Sequence, residues 1–362
     1  MSRHAVAVID LNALAHNFRV LKSKAPNAKV WSVIKADAYG HGATTIAHAL
    51  ANLTDGFAVA HLEEAMALRA AGIHNPLLLM EGVSSLTQVQ RLVQLDLQTV
   101  IHNAQGLAHV LAGHAGQHPI QVWLKVNTGM NRLGIAFGDL SQMLVKIQAS
   151  PKLTLAGVMT HLACADEPAH PMNARQIQSF DQQTTDLTCD QSIANSSATL
   201  ALPSTHRHWI RPGIALYGSS PLVGQDAQSL GLKPVMHLNS QVIAVRSLQP
   251  GDTVGYSAAW KANRTTRTAI VGVGYGDGYP RSIIEGHIWI NNTRCPLIGR
   301  VSMDMCVVRV PEQAEVAVGD SAQCWGEHIS IDQVAEQSNT ISYELMCKVT
   351  SRVPRVYSEF GV

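Results

Sequence analysis

The chain has 362 residues, of which 46% are hydrophobic and 15% are charged, and its formal net charge at pH 7 is +1. This length favours one large domain with a smaller second one, and the apolar share excludes an intrinsically disordered chain. Both signs of charge are spread along the chain without a basic or acidic run, so neither nucleic acid nor an acidic membrane is expected as a partner.

The cysteines and the start of the chain indicate a cytoplasmic protein. None of the six cysteines stands two residues from another, a pattern that predicts reduced thiols and no paired metal-ligand spacing. Asp10 interrupts the only apolar run near the start, and no small-residue cleavage site follows, so we expect no signal peptide. No stretch approaches the roughly 20 apolar residues that a membrane-spanning helix requires.

The chain opens with a short strand pattern at Ala5–Ile9, followed by Asp10 as the cap of an amphipathic helix. This opening strand need not belong to the fold that follows. Up to about residue 218, β-rich runs alternate with helical patterns such as His61–Ala71 and Ser84–Leu95. The eight predicted strands are Val30–Ile34, Phe57–Ala60, Leu77–Met80, Thr99–Ile101, Ile120–Val126, Leu153–Thr160, Ser192–Ala194 and His208–Ile210.

Eight strand–helix units are the number in a (β/α)8 barrel, which we favour over a doubly wound open sheet. After Pro221 the pattern changes to strands and turns, with one predicted helix at Ile331–Gln337. The predicted strands of this part are Val242–Val245, Ala269–Val273, His287–Ile290 and Met305–Val310. We therefore predict an α/β fold with two domains, a TIM barrel over residues 1–230 and a β-rich domain over residues 231–362.

Polar residues stand where several of the predicted barrel strands end. They are Lys35, Lys125 with Asn127–Arg132, His161, Asn195–Ser197 and Arg211–Gly213. Active sites of barrels form at the carboxyl ends of the strands, so these side chains are expected to meet on one face.

Each of these residues also has an ordinary structural interpretation. A lone lysine after a strand is usually a surface residue, whereas a partly desolvated Lys35 would be a nucleophile and base. Ser196 and Gly213 follow strands seven and eight, where barrels bind phosphate, but a simple helix cap explains them equally well. Arg211 suits a heteroaromatic nitrogen or a carboxylate, and a structural salt bridge is the alternative. We also expect a hydrogen bond between His161 and Arg211.

Other polar motifs give weaker evidence for a functional site. The glycine-rich segment Gly274–Gly278 lacks the strand–helix context of a nucleotide site, so we interpret it as a turn that positions Tyr275. Histidines such as His102, His109, His114 and His118 have no convergent partners, and we assign no metal to them.

Six segments in order along the chain resemble the alanine racemase family of pyridoxal-phosphate enzymes. They are Val33–Gly42, Lys125–Gly134 (KVNTGMNRLG), Arg211–Gly218 (RPGIALYG), Gly272–Arg281 (GVGYGDGYPR), Gly299–Met305 (GRVSMDM) and Ser351–Arg355 (SRVPR). The resemblance spans nearly the whole chain. One departure is Ser302, where some members carry cysteine.

The resemblance implies a role for each matched residue. Lys35 would bind pyridoxal 5′-phosphate covalently and be the base for the D-enantiomer, and Tyr256 would be the base for the L-enantiomer. Racemisation needs a proton removed on one face and returned on the other, which two bases provide. The further cofactor-binding residues would be Tyr39, Arg132, His161, Asn195, Ser196, Arg211, Gly213, Ile214 and Tyr343. Substrate would contact Arg132, Met303 and Asp304, and an entry channel would contain Asp166, Tyr275 and Arg281.

The resemblance further implies a head-to-tail homodimer in which the second domain completes the active site of the neighbouring subunit. It marks Lys125 as a candidate for carbamylation, as in some members. The substrate would be alanine, with D-alanine either supplied for peptidoglycan or consumed as a nutrient, and secondary activity on serine left open.

Four other functions compete with the one that the resemblance implies. A non-catalytic pyridoxal-phosphate carrier lacks a β-rich second domain, and a decarboxylase of basic amino acids does not fit the Lys125–Gly134 and Arg211–Gly218 segments. A racemase of serine, lysine or arginine keeps the same residues. A purely structural protein would not collect polar groups at the strand ends.

Overall fold

The computed structural model describes residues 4–358, so the outermost residues of the two predicted domains, 1–3 and 359–362, lie outside the described part. The first strand, β1 (Val6–Ile9), precedes helix α1 (Leu11–Lys24). The helix begins at Asp10, whose carboxylate accepts hydrogen bonds from the backbone N–H groups of Asn12 and Ala13. The predicted cap of this helix is therefore confirmed.

The middle of the chain forms a closed barrel of eight parallel strands, which confirms the predicted fold class. The strands are β2 (Lys29–Val33), β3 (Gly56–Val59), β4 (Leu77–Leu79), β5 (Leu97–Ile101), β6 (Ile120–Lys125), β7 (Leu153–Met159), β8 (Asp190–Ser192) and β9 (Trp209–Ile210). Each predicted strand is present, with its ends shifted by up to two residues. The closure pairs β2 with β9 through Lys29–Trp209 and Val30–Ile210.

Helical segments follow the barrel strands. They are α2 (Lys35–Gly40), α3 (Ala43–Leu50), α4 (Leu62–Ala70), α5 (Leu86–Gln94), α6 (Ala104–Gly113), α7 (Leu140–Gln148), α8 (Pro171–Thr184) and α9 (Ser196–Ala201). Inside the barrel the indole rings of Trp31 and Trp209 stack with centroids 4.4 Å apart, and Trp123 packs edge-on against both. Because these rings fill the interior, the polar site must lie toward the carboxyl ends of the strands.

The second domain is built around an eight-stranded sheet. Its strands are β10 (Met236–Leu248), β13 (Thr266–Val271), β14 (His287–Ile290), β15 (Thr293–Ile298), β16 (Cys306–Arg309), β17 (Ser321–Trp325) and β18 (Arg355–Tyr357), together with β1. A separate pair consists of β11 (Thr253–Val254) and β12 (Trp260–Lys261). The long strand β10 pairs with both β17 and β13, so the sheet curls back on itself.

The chain's first strand lies in this second sheet. β1 pairs antiparallel with β10 and parallel with β18, which places it outside the barrel. Two helices complete the domain, α10 (Ile331–Gln337) and α11 (Ser342–Lys348). The sequence predicts α10 at these bounds but misses α11, and it misses β15, where Pro296 weakens the strand signal. Within residues 4–358, no helix has the length and apolar character needed to span a bilayer.

Candidate active site

A cavity of about 660 Å³, which we call the barrel-mouth cavity, is lined by segments that follow the barrel strands and by α11. All the residues predicted to bind the cofactor contribute to its lining. They are Lys35, Tyr39, Arg132, His161, Asn195, Ser196, Arg211, Gly213, Ile214 and Tyr343, and Lys125 lies among them. The structure therefore brings together the polar groups that the sequence places at the strand ends.

Lys35 begins α2, a single turn with an unusual backbone. All four residues of Ala36–Tyr39 have φ between 52° and 54°, in the left-handed helical region. This conformation costs roughly 1–2 kcal/mol for each residue that carries a Cβ, and none of the four is glycine. Such a turn persists only where its surroundings hold it in place.

Two polar side chains, those of Asp37 and His41, join the left-handed turn to the residues that follow it. The Asp37 carboxylate accepts a hydrogen bond of 2.7 Å from the backbone N–H of Ala43. The Nδ1 atom of His41 lies 2.9 Å from the carbonyl oxygen of Tyr39. Burial lowers the pKa of His41 to about 4. The ring is therefore neutral, and Nδ1 carries the hydrogen that it donates to the carbonyl group.

The turn delivers Tyr39 against Gly213 at the other side of the cavity. A Cβ atom added to Gly213 would lie 2.4 Å from the Tyr39 hydroxyl oxygen, so a larger residue there would displace Tyr39. The Ser196 hydroxyl oxygen accepts hydrogen bonds from the N–H groups of Gly213, at 2.8 Å, and Ala215, at 3.3 Å. Burial raises the pKa of the Tyr39 phenol, so its hydroxyl remains protonated. Hydroxyl and amide groups converge here in the kind of site that binds a phosphate.

Arg211 is buried beneath the cavity, only 6% exposed, and its guanidinium is fixed by oxygen acceptors. It donates hydrogen bonds of 2.5 Å to the Ser192 hydroxyl and 2.5 Å to the Thr160 carbonyl oxygen, and a longer one of 3.2 Å to Ile193. Burial lowers the pKa of Arg211 to about 10, so the group stays charged at neutral pH.

Among the described residues, no hydrogen bond joins His161 to Arg211. The sequence-based expectation of this hydrogen bond is therefore wrong. Burial and the nearby cations Arg211 and Lys125 hold the pKa of His161 well below its usual range, so the ring is neutral. Burial, with Arg211 and Arg132 next, lowers the pKa of Lys125 to about 8. The neighbouring positive charges therefore disfavour protonation of both His161 and Lys125.

Tyr343 reaches the cavity from α11. Burial raises its pKa to about 12, and the carboxylates of Asp166 and Asp332 add to the effect. Asp332 accepts hydrogen bonds from the Ser219 hydroxyl, at 2.5 Å, and the Ser220 N–H, at 3.0 Å. Because Ser219 donates to Asp332, the hydroxyl of Ser342, 2.5 Å away, must donate to Ser219. This Asp332–Ser219–Ser342 network fastens the start of α11 to the barrel.

A second group of predicted residues lies on the β-rich domain and does not line the barrel-mouth cavity of its own chain. Tyr256 is 64% exposed, and Met303 is also exposed. The guanidinium carbon of Arg281 lies 5.9 Å from the centre of the Tyr256 ring and 5.5 Å from that of Tyr275. Tyr256, Tyr275 and Arg281 therefore form one surface cluster, and none of the three lines the cavity that contains Lys35.

Arg352 links the loops that carry this group. Its Nε atom lies 3.1 Å from the carboxylate of Asp277, which is fully buried and accepts a hydrogen bond from the Gly274 N–H. Its Nη2 atom contacts the carboxylate of Asp304. The Tyr275 loop and the Met303–Asp304 loop are thus tied together by one side chain.

Several residues at the site were not singled out from the sequence. Met80, Glu81 and Cys347 also line the cavity. The Glu64 carboxylate accepts a hydrogen bond from the backbone N–H of Ala36, beside Lys35. Its position three residues after the start of a helical pattern was the available signal, since glutamate there often closes a capping box.

The barrel, the lysine at its mouth and the curled β sheet define a two-domain barrel enzyme with its reactive groups at the carboxyl ends of the strands. The chain belongs to the alanine racemase family. The model of the alanine racemase N-terminal domain matches residues 9–221, and that of the C-terminal domain matches residues 235–357.

Individual alanine racemases are similar in sequence to this chain over nearly its full length. The alanine racemase of Shewanella loihica is 45% identical over 349 residues, which cover 96% of this chain and 97% of that one. The biosynthetic alanine racemase of Pseudomonas aeruginosa is 44% identical over 359 residues, covering 98% and 99%. The crystal structure of biosynthetic alanine racemase from Pseudomonas aeruginosa superposes with a TM-score of 0.95 at 42% identity, covering 99% and 100%. The structure of alanine racemase from Acinetobacter baumannii has a TM-score of 0.92 at 36% identity, covering 98% of this chain and 100% of that one.

Proposed function

We propose that this chain interconverts L-alanine and D-alanine with pyridoxal 5′-phosphate bound at Lys35. The observation that carries the proposal is the barrel-mouth cavity, in which the Lys35 amine shares one enclosure with the Tyr39–Ser196–Gly213 cluster and with Arg211. The names of the relatives give the same reaction.

The donor set of the cavity fits this cofactor. The absence of a side chain at Gly213 lets the Tyr39 hydroxyl lie against its backbone, beside the Ser196 hydroxyl that accepts from the Gly213 N–H group. The phosphate would be held by Tyr39, Ser196, Gly213, Ile214 and Tyr343, and Asn195 would also contact the cofactor. Arg211 would face the pyridine nitrogen with His161 beside it, and Arg132 would reach the phenolic oxygen.

When bound, the cofactor delocalises the electrons left on the substrate's α-carbon after the proton is removed. Lys35 holds and returns the proton on one face of that carbon, and Tyr256 of the partner subunit does so on the other. Arg211 is charged at neutral pH. Because two adjacent cations repel, its guanidinium would disfavour protonation of a ring nitrogen placed against it. Such an arrangement would restrain electron withdrawal by the ring and so favour racemisation over transamination.

The division of the site between two regions supports a head-to-tail homodimer. Tyr256 is largely exposed and absent from the cavity of its own chain, so a second copy would supply it. Residues 1–230 would carry the cofactor, and residues 231–362 would complete the partner's site. Arg132, Met303 and Asp304 would contact the substrate, and Asp166, Tyr275 and Arg281 would line its entry.

We place the enzyme in the cytoplasm. It would make D-alanine for peptidoglycan or consume D-alanine as a nutrient, because the same side chains catalyse both directions of the reaction. Carbamylation of Lys125 belongs to it as well, since a pKa of about 8 leaves part of the amine neutral and reactive near that pH.

The test is a chiral assay of the purified protein on a panel of L-amino acids, with and without added pyridoxal phosphate, followed by borohydride reduction and peptide mapping. We expect racemisation of alanine to exceed that of the other amino acids and the reduced cofactor to be attached to Lys35. Lys35→Ala should abolish both results, and Lys29→Ala, at the opposite end of β2, is the control. A label on another lysine, or no racemisation of alanine, would refute the proposal.

A further inference from the structure

The backbone on both sides of Lys35 is fastened to the next strand–helix unit of the barrel. The N–H group of Ile34 donates to the carbonyl oxygen of Ala58, at the end of β3, at 3.0 Å. The N–H group of Ala36 donates to a carboxylate oxygen of Glu64, in the first turn of α4, at 2.6 Å. Ala36 is the first of the four left-handed residues, so Glu64 binds the point at which the backbone changes hand.

Both oxygens of Glu64 are occupied by backbone donors. While Oε1 accepts from Ala36, Oε2 accepts from the N–H groups of Ala60, at 2.8 Å, and His61, at 3.1 Å. One carboxylate therefore joins the start of the left-handed turn to the start of α4. Glu64 does not line the barrel-mouth cavity, so it reaches neither substrate nor cofactor directly.

We propose that Glu64 is a positioning residue for Lys35: by binding the Ala36 N–H group, it holds the left-handed turn and so fixes the backbone from which the Lys35 amine extends. This inference rests on the proposed function for its effect on turnover, while the contact itself is a property of the chain alone. A misplacement of about 1 Å in a catalytic group can lower a rate on the order of a hundred-fold, so the anchoring has a large kinetic consequence.

The chemistry of the contact selects the variants. Glutamine has one acceptor oxygen and one NH2 donor, so Glu64→Gln must direct a donor at either Ala36 or the Ala60–His61 pair. Aspartate keeps the charge near its own helix turn, but its side chain is one methylene shorter and cannot span to Ala36. Glu63→Gln is the matched control because Glu63 is the exposed neighbour in the same first turn of α4.

The first measurement is hydrogen exchange in cofactor-free protein, read on a peptide that contains Ala36. We expect the Ala36 amide to be protected in the wild type and in Glu63→Gln and to exchange faster in Glu64→Asp and Glu64→Gln. Equal protection in all four proteins overturns the inference, whatever the chain catalyses.

The second measurement is the rate at which Lys35 captures pyridoxal phosphate, followed by visible absorbance, together with kcat and KM for alanine. Both Glu64 variants should show capture and kcat lowered by about ten-fold or more with KM little changed. If they only melt at a lower temperature, and match Glu63→Gln in capture and kcat where folded, Glu64 is merely structural and the proposal fails. Absence of capture in the wild type would instead refute the proposed function and leave the exchange measurement to decide on Glu64.

Discussion

Gly213 shows how one missing side chain shapes the candidate site. A Cβ atom at this position would lie 2.4 Å from the Tyr39 hydroxyl oxygen and 3.2 Å from its ring. Tyr39 cannot move away easily, because it is buried and its ring packs on Tyr217 with centroids 4.8 Å apart. A glycine at position 213 therefore leaves room for the Tyr39 hydroxyl, and any Cβ atom there would press on Tyr39.

We expect Gly213→Ala to weaken cofactor binding while leaving the fold intact. Overpacking of this kind costs about 1–3 kcal/mol, and a loss of that size in cofactor binding corresponds to roughly 5- to 160-fold in the dissociation constant of pyridoxal phosphate. Quenching of tryptophan fluorescence on titration with the cofactor would measure it. Gly138→Ala is the control, because a Cβ atom there meets nothing within 4 Å. Equal affinity in both variants would show that the Tyr39–Gly213 contact does not shape the site.

The conformation of α2 marks the limit of what the residues alone predict. Lys35 is recognisable from its place after a β-rich run, but Ala36–Tyr39 contains no glycine to signal positive φ. The turn is held by groups remote in the sequence, including the guanidinium of Arg355, which donates to the Gly40 carbonyl oxygen across 315 positions. Such contacts exist only once both domains have formed.

The sequence also does not predict helix α11, because this helix too is stabilised by a contact with a residue remote in the sequence. Its N-cap, Ile341, has no side chain that can accept a hydrogen bond, so the usual start signal is absent. By contrast, α10 begins after Ser330, whose hydroxyl accepts from the Gln333 N–H, and it was predicted at its observed bounds. The start of α11 is instead stabilised by the hydrogen bond from Ser342 to Ser219 in the barrel.

Asp332→Asn should loosen α11 and with it Tyr343. Both carboxylate oxygens of Asp332 accept hydrogen bonds, and an amide would direct a donor at Ser219 or Ser220. An unsatisfied buried donor costs about 1–3 kcal/mol. Removing a negative charge also lowers the pKa of Tyr343 from about 12 toward its ordinary value.

The measurements are the melting temperature, the affinity for pyridoxal phosphate and an ultraviolet titration of the tyrosines. We expect a lower melting temperature, a weaker affinity for pyridoxal phosphate and a lower pKa of Tyr343. Glu336→Gln is the matched control, since Glu336 is exposed on the same helix. A variant indistinguishable from Glu336→Gln in cofactor affinity would mean that the network does not position Tyr343.

The overall architecture is predictable because eight β-rich runs with helical patterns between them match one fold, and polar residues follow five of these runs at the end that the barrel brings to its mouth. The second sheet was predictable only as a β-rich region. The sheet includes β1 and β18, which come from opposite ends of the chain and pair with each other. No local sequence pattern indicates that these two strands are neighbours.

The separation of Lys35 from the Tyr256 cluster bears on the assembly as a whole. If two copies complete each other's sites, Lys35→Ala and Tyr256→Phe are each inactive alone, yet a mixed dimer has one site with both native bases and one with neither. Random mixing after refolding gives mixed molecules in half of the dimers, so about a quarter of the wild-type activity should return. Tyr256 acting within its own chain predicts no recovery, because every site would then carry one substitution. Racemase activity measured across mixing ratios, with each variant mixed with itself as the control, distinguishes the two arrangements.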